Sequence, residues 1–315
     1  MRHLTACGLL ALLSACEASI DAGPPAAVGI DAAPVQVPDD ATIVPPAPDA
    51  PEAPDAAPFG AWSAPVAVAP AATSLSEDDV TMSRDTLELI FAVDPGTGTG
   101  KDLYSVTRAS TNGDFSPTPT KLSFDGATSD EAPRLSADGR TLYFASGRDS
   151  GNGTLDIFAV DRVLVGSTMT YGTAQQLTTG VNSALTEKWY MTCGTDHFVV
   201  VRNNKSGVGD LFEGTVGSEP LPIDALNTAQ NETAPFITDD CLTIYFASGR
   251  VSPSRIFTAT RTSLDAPWQN VAPMLDFDAL GGNQEDPWLS PDGHTFAFAS
   301  NAAGKGNKDV YLSTR

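Results

Sequence analysis

The chain has 315 residues, 41% of them hydrophobic, and 18 Lys+Arg stand against 39 Asp+Glu for a formal net charge of −21. So acidic a surface repels polyanions, which argues against nucleic acid as a partner and against direct attraction to anionic lipid. Beyond the N-terminus no stretch keeps the 3.6-residue apolar spacing of an amphipathic helix, and Gly and Pro interrupt every short apolar run, so the domain reads as all-β.

The first element is Arg2-His3 followed by an apolar run around Leu9-Leu10-Ala11-Leu12-Leu13. The run is too short for a permanent bilayer-spanning helix and has the length of a signal-peptide core. It ends in Leu13-Ser14-Ala15-Cys16, which resembles the lipobox of bacterial lipoproteins. That resemblance implies cleavage after residue 15 and lipidation of Cys16. Ordinary signal-peptidase cleavage near Ala15 is the alternative. Loss of Arg2 would leave 17 basic against 39 acidic residues, or −22. Two or more acyl chains, at about 0.8 kcal/mol per buried CH₂, make an effectively permanent anchor. Contact with the membrane is thus expected through the lipid alone, at the outer rather than the inner membrane.

Residues 16–58 form the second element. They are rich in Ala, Pro and Asp, as in Pro48-Asp49-Ala50-Pro51-Glu52-Ala53-Pro54-Asp55, with almost no aromatic side chains. Such a composition buries too little apolar surface to offset chain entropy, so a disordered tether is predicted.

From residue 59 to 315 one pattern occurs five times. Its clearest copy runs from Asp130-Glu131-Ala132-Pro133-Arg134-Leu135-Ser136-Ala137-Asp138-Gly139 through Leu142-Tyr143-Phe144-Ala145-Ser146 to Asp156-Ile157-Phe158. Ser83, Ser136, Thr192, Thr238 and Ser290 mark the copies at intervals of 53, 56, 46 and 52 residues, the size of a propeller blade. Each copy reads as three strands. Asp138-Gly139 and Pro291-Asp292-Gly293 signal the turn from the first to the second. A fourth, outer strand is expected before each copy: Trp62–Val68, Phe115–Leu122, Tyr171–Leu177, about Thr215–Ile223, and Trp268–Leu275. The prediction is a β-propeller of four-stranded blades, five in number, with Trp62–Val68 closing the ring against the last copy. Six blades is the alternative if the segment Val163–Thr179 hides further strands.

The Glu-x-Pro-x-Leu-Ser-x-Asp-Gly pattern, followed by Leu-Tyr-Phe-x-Ser and Asp-Ile-Phe, resembles the WD40-like propeller repeat of TolB-type proteins over residues 59–315. The resemblance implies a binding platform in the bacterial cell envelope. No part of the sequence resembles the α/β N-terminal domain of TolB or a peptidoglycan-binding domain, so their partners are not implied.

An acidic residue precedes each inner strand: Asp78, Glu131, Glu187, Glu232 and Glu285. If these fall on one rim of the channel they either bind a ligand, Ca²⁺ included, or pair with Arg148, Arg250 and backbone N–H groups to lock the blades. The glycine-rich turn at residues 149–153 faintly resembles a calcium loop but serves a hairpin equally well. Gly96-Thr97-Gly98-Thr99-Gly100-Lys101 fails as a phosphate loop because Pro95 and Asp102 stand where Gly and Ser or Thr are needed. His197 and His294 have no zinc-binding spacing, and no Gly-x-Ser-x-Gly elbow exists, so no metal ligands or catalytic residues are assigned. Cys193 and Cys241 form a disulfide or remain two buried thiols. The reading is a monomeric, non-catalytic binding module for an envelope protein, peptide or glycan, without a cofactor. The alternative is a glycosidase-like enzyme using channel carboxylates.

Overall fold

The computed structural model of the chain describes residues 59–148, 155–178, 180–302, 304 and 306–315. The signal sequence, Cys16, the tether and the turn at 149–153 lie outside the described residues.

The described residues form five antiparallel sheets, the blades of a propeller. Blade I contains Ser76–Met82, Glu88–Asp94, Asp102–Thr107 and Thr120–Lys121. Blade II contains Asp130–Leu135, Thr141–Ser146, Asp156–Val165 and Gln175–Gln176. Blade III contains Glu187–Cys193, His197–Asn203, Gly209–Thr215 and Leu221–Pro222. Blade IV contains Glu232–Ile237, Thr243–Ser248, Arg255–Thr260 and Gln269–Pro273. Blade V contains Gln284–Leu289, Thr295–Ser300, Asp309–Thr314 and, from the other end of the chain, Val66–Ala67.

The ring therefore closes as the repeat predicts: Val66 stands opposite Leu312 and Ala67 opposite Tyr311. Ser63 N–H donates to the Thr314 carbonyl at 2.7 Å, and the Arg315 guanidinium lies 4.0 Å from the Phe59 ring and 4.2 Å from that of Trp62. Pairing the two terminal segments in one sheet removes an open edge. The outer strands are shorter than expected, two residues in four of the blades. Accumulated twist carries each chain away from its neighbour once nothing flanks it outside. The segment after Val160 does hold an extra strand, Thr168–Tyr171, but it pairs with the far end of Asp156–Val165 as a hairpin on blade II. The blade count stays at five.

Apolar side chains fill the space between neighbouring sheets. Phe277, Phe296 and Phe298, all fully buried, stack on the face of blade V. Tyr143 of blade II meets Tyr190 of blade III at 4.9 Å between ring centres. One blade alone cannot cover both of its faces, so the ring is expected to unfold as a unit.

All five innermost strands share one departure from regular pairing. Each contains a bulge, and in each a non-glycine residue adopts a left-handed backbone: Asp79 (φ 54°), Ala132 (55°), Trp189 (50°), Ala234 (51°) and Asp286 (55°). This conformation costs roughly 1–2 kcal/mol per residue, so five copies signal a purpose. The bulge resets strand phase. Residues three apart, which would face opposite ways in a regular strand, both turn to the central channel. This is how Glu131 and Arg134 come to share it.

Candidate functional site: the two mouths of the channel

Where the innermost strands begin, the channel opens into a charged cavity of about 440 Å³. The residue before each bulge lines it: Asp78, Glu131, Lys188, Thr233 and Glu285. Three lysines neutralise the acids. Lys101 Nζ lies 2.7 Å from Asp78, 2.9 Å from Asp79 and 3.5 Å from Glu131. Lys308 reaches Asp78 at 3.2 Å and Glu285 at 2.6 Å, and Lys188 reaches Glu131 at 3.1 Å. Lys101 and Lys308 occupy the same place in blades I and V, immediately before the third strand. Trp189 Nε1–H completes the set, donating to Asp79 at 2.9 Å.

The carboxyls of the two bulge aspartates are shifted in opposite directions. Burial pushes the Asp79 carboxyl up, but Lys101, Lys188 and Lys308 outweigh it and hold the group well below the usual range. Burial also raises the Asp286 carboxyl, and the charges of Asp79 and Asp78 raise it further, well above the usual carboxylate range. The Asp79 N–H donates to Asp286 across the seam between blades I and V at 3.0 Å. Oxygens of Asp78, Asp79 and Asp286 lie within 4.8 Å of one another, a spacing that suits a cation. Lys101 and Lys308 already supply positive charge there, and a metal ion would compete with both ammonium groups.

Arg134 closes the channel. Its side chain is 1% exposed, and it crosses from blade II to donate to the Val80 carbonyl of blade I at 2.9 Å and the Pro235 carbonyl of blade IV at 3.3 Å. Met191, Phe236 and Trp288 hold the corresponding place in blades III, IV and V. Phe236 and Trp288 meet edge to face, 6.3 Å between ring centres.

Beyond that layer the opposite mouth is a well of about 420 Å³ with an apolar floor that includes Met82, Leu135, Met191, Phe236 and Trp288. Its rim is made by the turns between first and second strands. In four of them a hydroxyl donates to a turn aspartate: Ser83 to Asp85, Ser136 to Asp138, Thr238 to Asp240 and Ser290 to Asp292. Blade III breaks the pattern, because Cys193 replaces the hydroxyl residue. It is bonded to Cys241, which at φ 60° stands where blades II and V have Gly139 and Gly293. The Cα atoms are 5.5 Å apart. Both ends of the bond thus depart from the repeat, and the bond ties the rims of blades III and IV together.

The five acids read from the sequence do not form one ring. Asp78, Glu131 and Glu285 line the charged mouth, whereas Glu187 and Glu232 lie one residue earlier in their strands, fully buried, beside the equivalents Glu77, Asp130 and Gln284. That earlier position is a fastening. Glu232 accepts from the Thr228 N–H at 2.7 Å and from Ser248 at 2.8 Å, Glu187 from Arg202 at 2.8 Å, and Asp130 from Arg148 at 2.6 Å. Marking the third copy at Thr192, one residue short of Cys193, hides the offset of Glu187, whereas Glu232 stands six residues before Thr238 where Asp78, Glu131 and Glu285 stand five before their own markers. Lys101, Lys188, Lys308 and Arg134 were not singled out. The shared Lys-Asp pairs at 101–102 and 308–309 were the signal available for two of them.

No protein-family model matches the chain. No curated protein matches it in sequence. Among solved structures, it is similar to the catalytic domain of the GH62 α-L-arabinofuranosidase of Coprinopsis cinerea, at 12% identity and a TM-score of 0.52, over 81% of this chain and 96% of that one. The endo-arabinase of Bacteroides thetaiotaomicron gives 12% identity and a TM-score of 0.50 over 81% and 98%. TolB of Acinetobacter baumannii gives 15% identity and a TM-score of 0.47 over 82% of this chain and 64% of that one. At such identities the likeness to the first two concerns the fold alone.

Proposed function

We propose that the chain is a lipid-anchored, non-catalytic binding module of the bacterial cell envelope that takes its ligand at the apolar mouth of the propeller. One observation carries this reading. Among the described residues, each carboxylate of the charged mouth either pairs with a lysine of the wall or, as Asp286, is buried and accepts from the Asp79 N–H of the next blade. Glycoside hydrolysis needs two carboxyl groups that can reach a sugar, and Asp79 and Asp286, whose carboxyls are shifted in opposite directions as an acid and a base require, are only 1% and 2% exposed. The apolar mouth has the opposite character, a concave apolar floor within a polar rim, which is the usual form of a ligand site. Export is supported by the Leu13-Ser14-Ala15-Cys16 sequence and by the Cys193–Cys241 bond, which suits an oxidising compartment. Anchoring through Cys16 predicts acyl labelling that disappears in Cys16→Ser.

The endo-arabinase among the neighbours in structure gives the enzymatic alternative a specific substrate to test. The chain is expected to release no sugar from arabinan. Sustained release that is lost in a folded Asp286→Asn variant would replace the binding reading with the enzymatic one.

A further inference from the structure

We propose that the apolar mouth docks a peptide segment of a partner protein in which a bulky apolar side chain is flanked by basic ones. The inference rests on the reading that this mouth takes the ligand, and it specifies the ligand's chemistry. Two features of the well define that chemistry. The first is its size: an apolar cavity of about 150 Å³ already accommodates a benzene ring, so about 420 Å³ receives an aromatic or large aliphatic side chain with room to spare. Filling it would cover the Trp288 and Phe236 rings, and burying a Phe or Leu side chain is worth roughly 1.5–3 kcal/mol.

The second feature is the rim. Each of the five turns carries an aspartate, Asp85, Asp138, Asp196, Asp240 and Asp292, and Asp239 adds a sixth. Hydrogen bonds from Ser136 and Ser290 hold the carboxyls of Asp138 and Asp292 below the usual range, so both are ionised at neutral pH. The bases beside the rim are fewer, Arg84, Arg140 and Arg315, and of these Arg140 lies in the same turn as Asp138. Arg84 pairs with Asp239 at 2.6 Å, and Arg315 lies against Phe59 and Trp62. A ring of surplus negative charge around an apolar well complements lysine or arginine on either side of an apolar anchor. It repels anionic lipid and offers no advantage to a neutral sugar.

The test uses the chain from position 16 onward carrying Cys16→Ser, and the peptide acetyl-Lys-Lys-Phe-Lys-Lys-amide as probe. Tryptophan fluorescence is expected to change saturably at low salt, and the change should vanish in Trp288→Phe. Replacing the peptide's Phe by Ala, or its lysines by Glu, should weaken binding at least tenfold, and raising the ionic strength to about 0.5 M should weaken it too. Ala137→Arg, an exposed substitution on the rim, should abolish it. The triple variant Asp138→Asn, Asp240→Asn, Asp292→Asn should weaken it about tenfold, since each exposed pair contributes ~0.2–1 kcal/mol. Each Asn retains an Oδ1 for the turn. No binding of the probe, or binding indifferent to these variants, overturns the proposal. If an arabino-oligosaccharide or a zwitterionic vesicle perturbs Trp288 while the peptide does not, this inference falls and the binding role stands. If none of the three does, both fall.

Discussion

The two mouths of the channel are built on the same five strands, a few residues apart, yet their chemistry is arranged in opposite ways. At the charged mouth almost every polar group has found a partner from a neighbouring blade: Lys101 alone joins blades I and II through Asp78, Asp79 and Glu131. At the apolar mouth the floor side chains line an open well, and the aspartates of the turns, Asp138 and Asp292 among them, hold their own loops, while Asp239 pairs with Arg84 of blade I. One end has used its interactions to assemble the ring. The other joins blades through the Cys193–Cys241 bond and the Arg84–Asp239 pair and leaves its apolar floor uncovered. The bulges let both exist on one strand, because each resets the phase between a polar residue at one end and an apolar one at the other. The comparison teaches that density of charge around a channel is a poor guide to where a ligand goes.

The difference can be broken or sharpened by substitution. The largest effect is expected at the one covalent strut of the apolar rim. A disulfide spanning 48 residues is worth about 4 kcal/mol in the chain-entropy account, so reduction should lower the denaturation midpoint strongly. The double variant Cys193→Ser, Cys241→Gly restores what the repeat has at both positions. It should recover about 1 kcal/mol of that loss by relieving the left-handed backbone at Cys241. A double variant no better than Cys241→Ser alone would contradict this account.

At the charged mouth, Lys101→Met should cost about 3 kcal/mol, because it strands buried carboxylates. A loss below about 1 kcal/mol in urea unfolding would show that the charged mouth does not hold the blades together. Next in size is a pH effect at the seam of blades I and II. Burial and a hydrogen bond with Asp130 push the Asp125 carboxyl up to about 8. Between about pH 4 and pH 8 the folded chain therefore binds a proton that the unfolded chain does not, and stability falls as pH rises through that window. Asp125→Asn, which keeps a donor toward Asp130, should flatten the slope. An unchanged slope would assign it to another group. The smallest effect is expected from Ala137→Arg on the apolar rim, within about 0.5 kcal/mol of the parent, since Ala137 is an exposed turn residue.

Much of the architecture was legible because a propeller writes itself repeatedly. The Asp-Gly turns, the Leu-Tyr-Phe-x-Ser strands and the terminal strand that closes blade V all follow from patterns of local sequence. The bulges were not legible, since Asp79, Ala132, Trp189, Ala234 and Asp286 share a backbone conformation and nothing of side-chain type. An acid at 131 and an acid at 187 look equivalent until the strand phase is known. Arg134 stayed hidden for a related reason: its partners are carbonyls of Val80 and Pro235, and backbone acceptors leave no trace in composition. The disulfide left a trace that was readable in principle, because each cysteine interrupts the repeat where the other copies have a hydroxyl residue or a glycine.

The closing segment of blade V has a mechanical side. If Cys16 is held in a membrane, any pull between that membrane and a partner gripping the propeller arrives at Phe59. From there the load passes along residues 62–68, which run antiparallel to the last strand and are fastened at Ser63, at the Val66–Ala67 ladder and at Val68. Force applied at Phe59 and directed away from the last strand draws these fastenings one after another, as a zip opens, instead of loading them together in shear. The stacking of Arg315 on Phe59 and Trp62 is the first to be strained. Under traction, then, the ring has a defined place to yield, and it is the seam that joins its two ends.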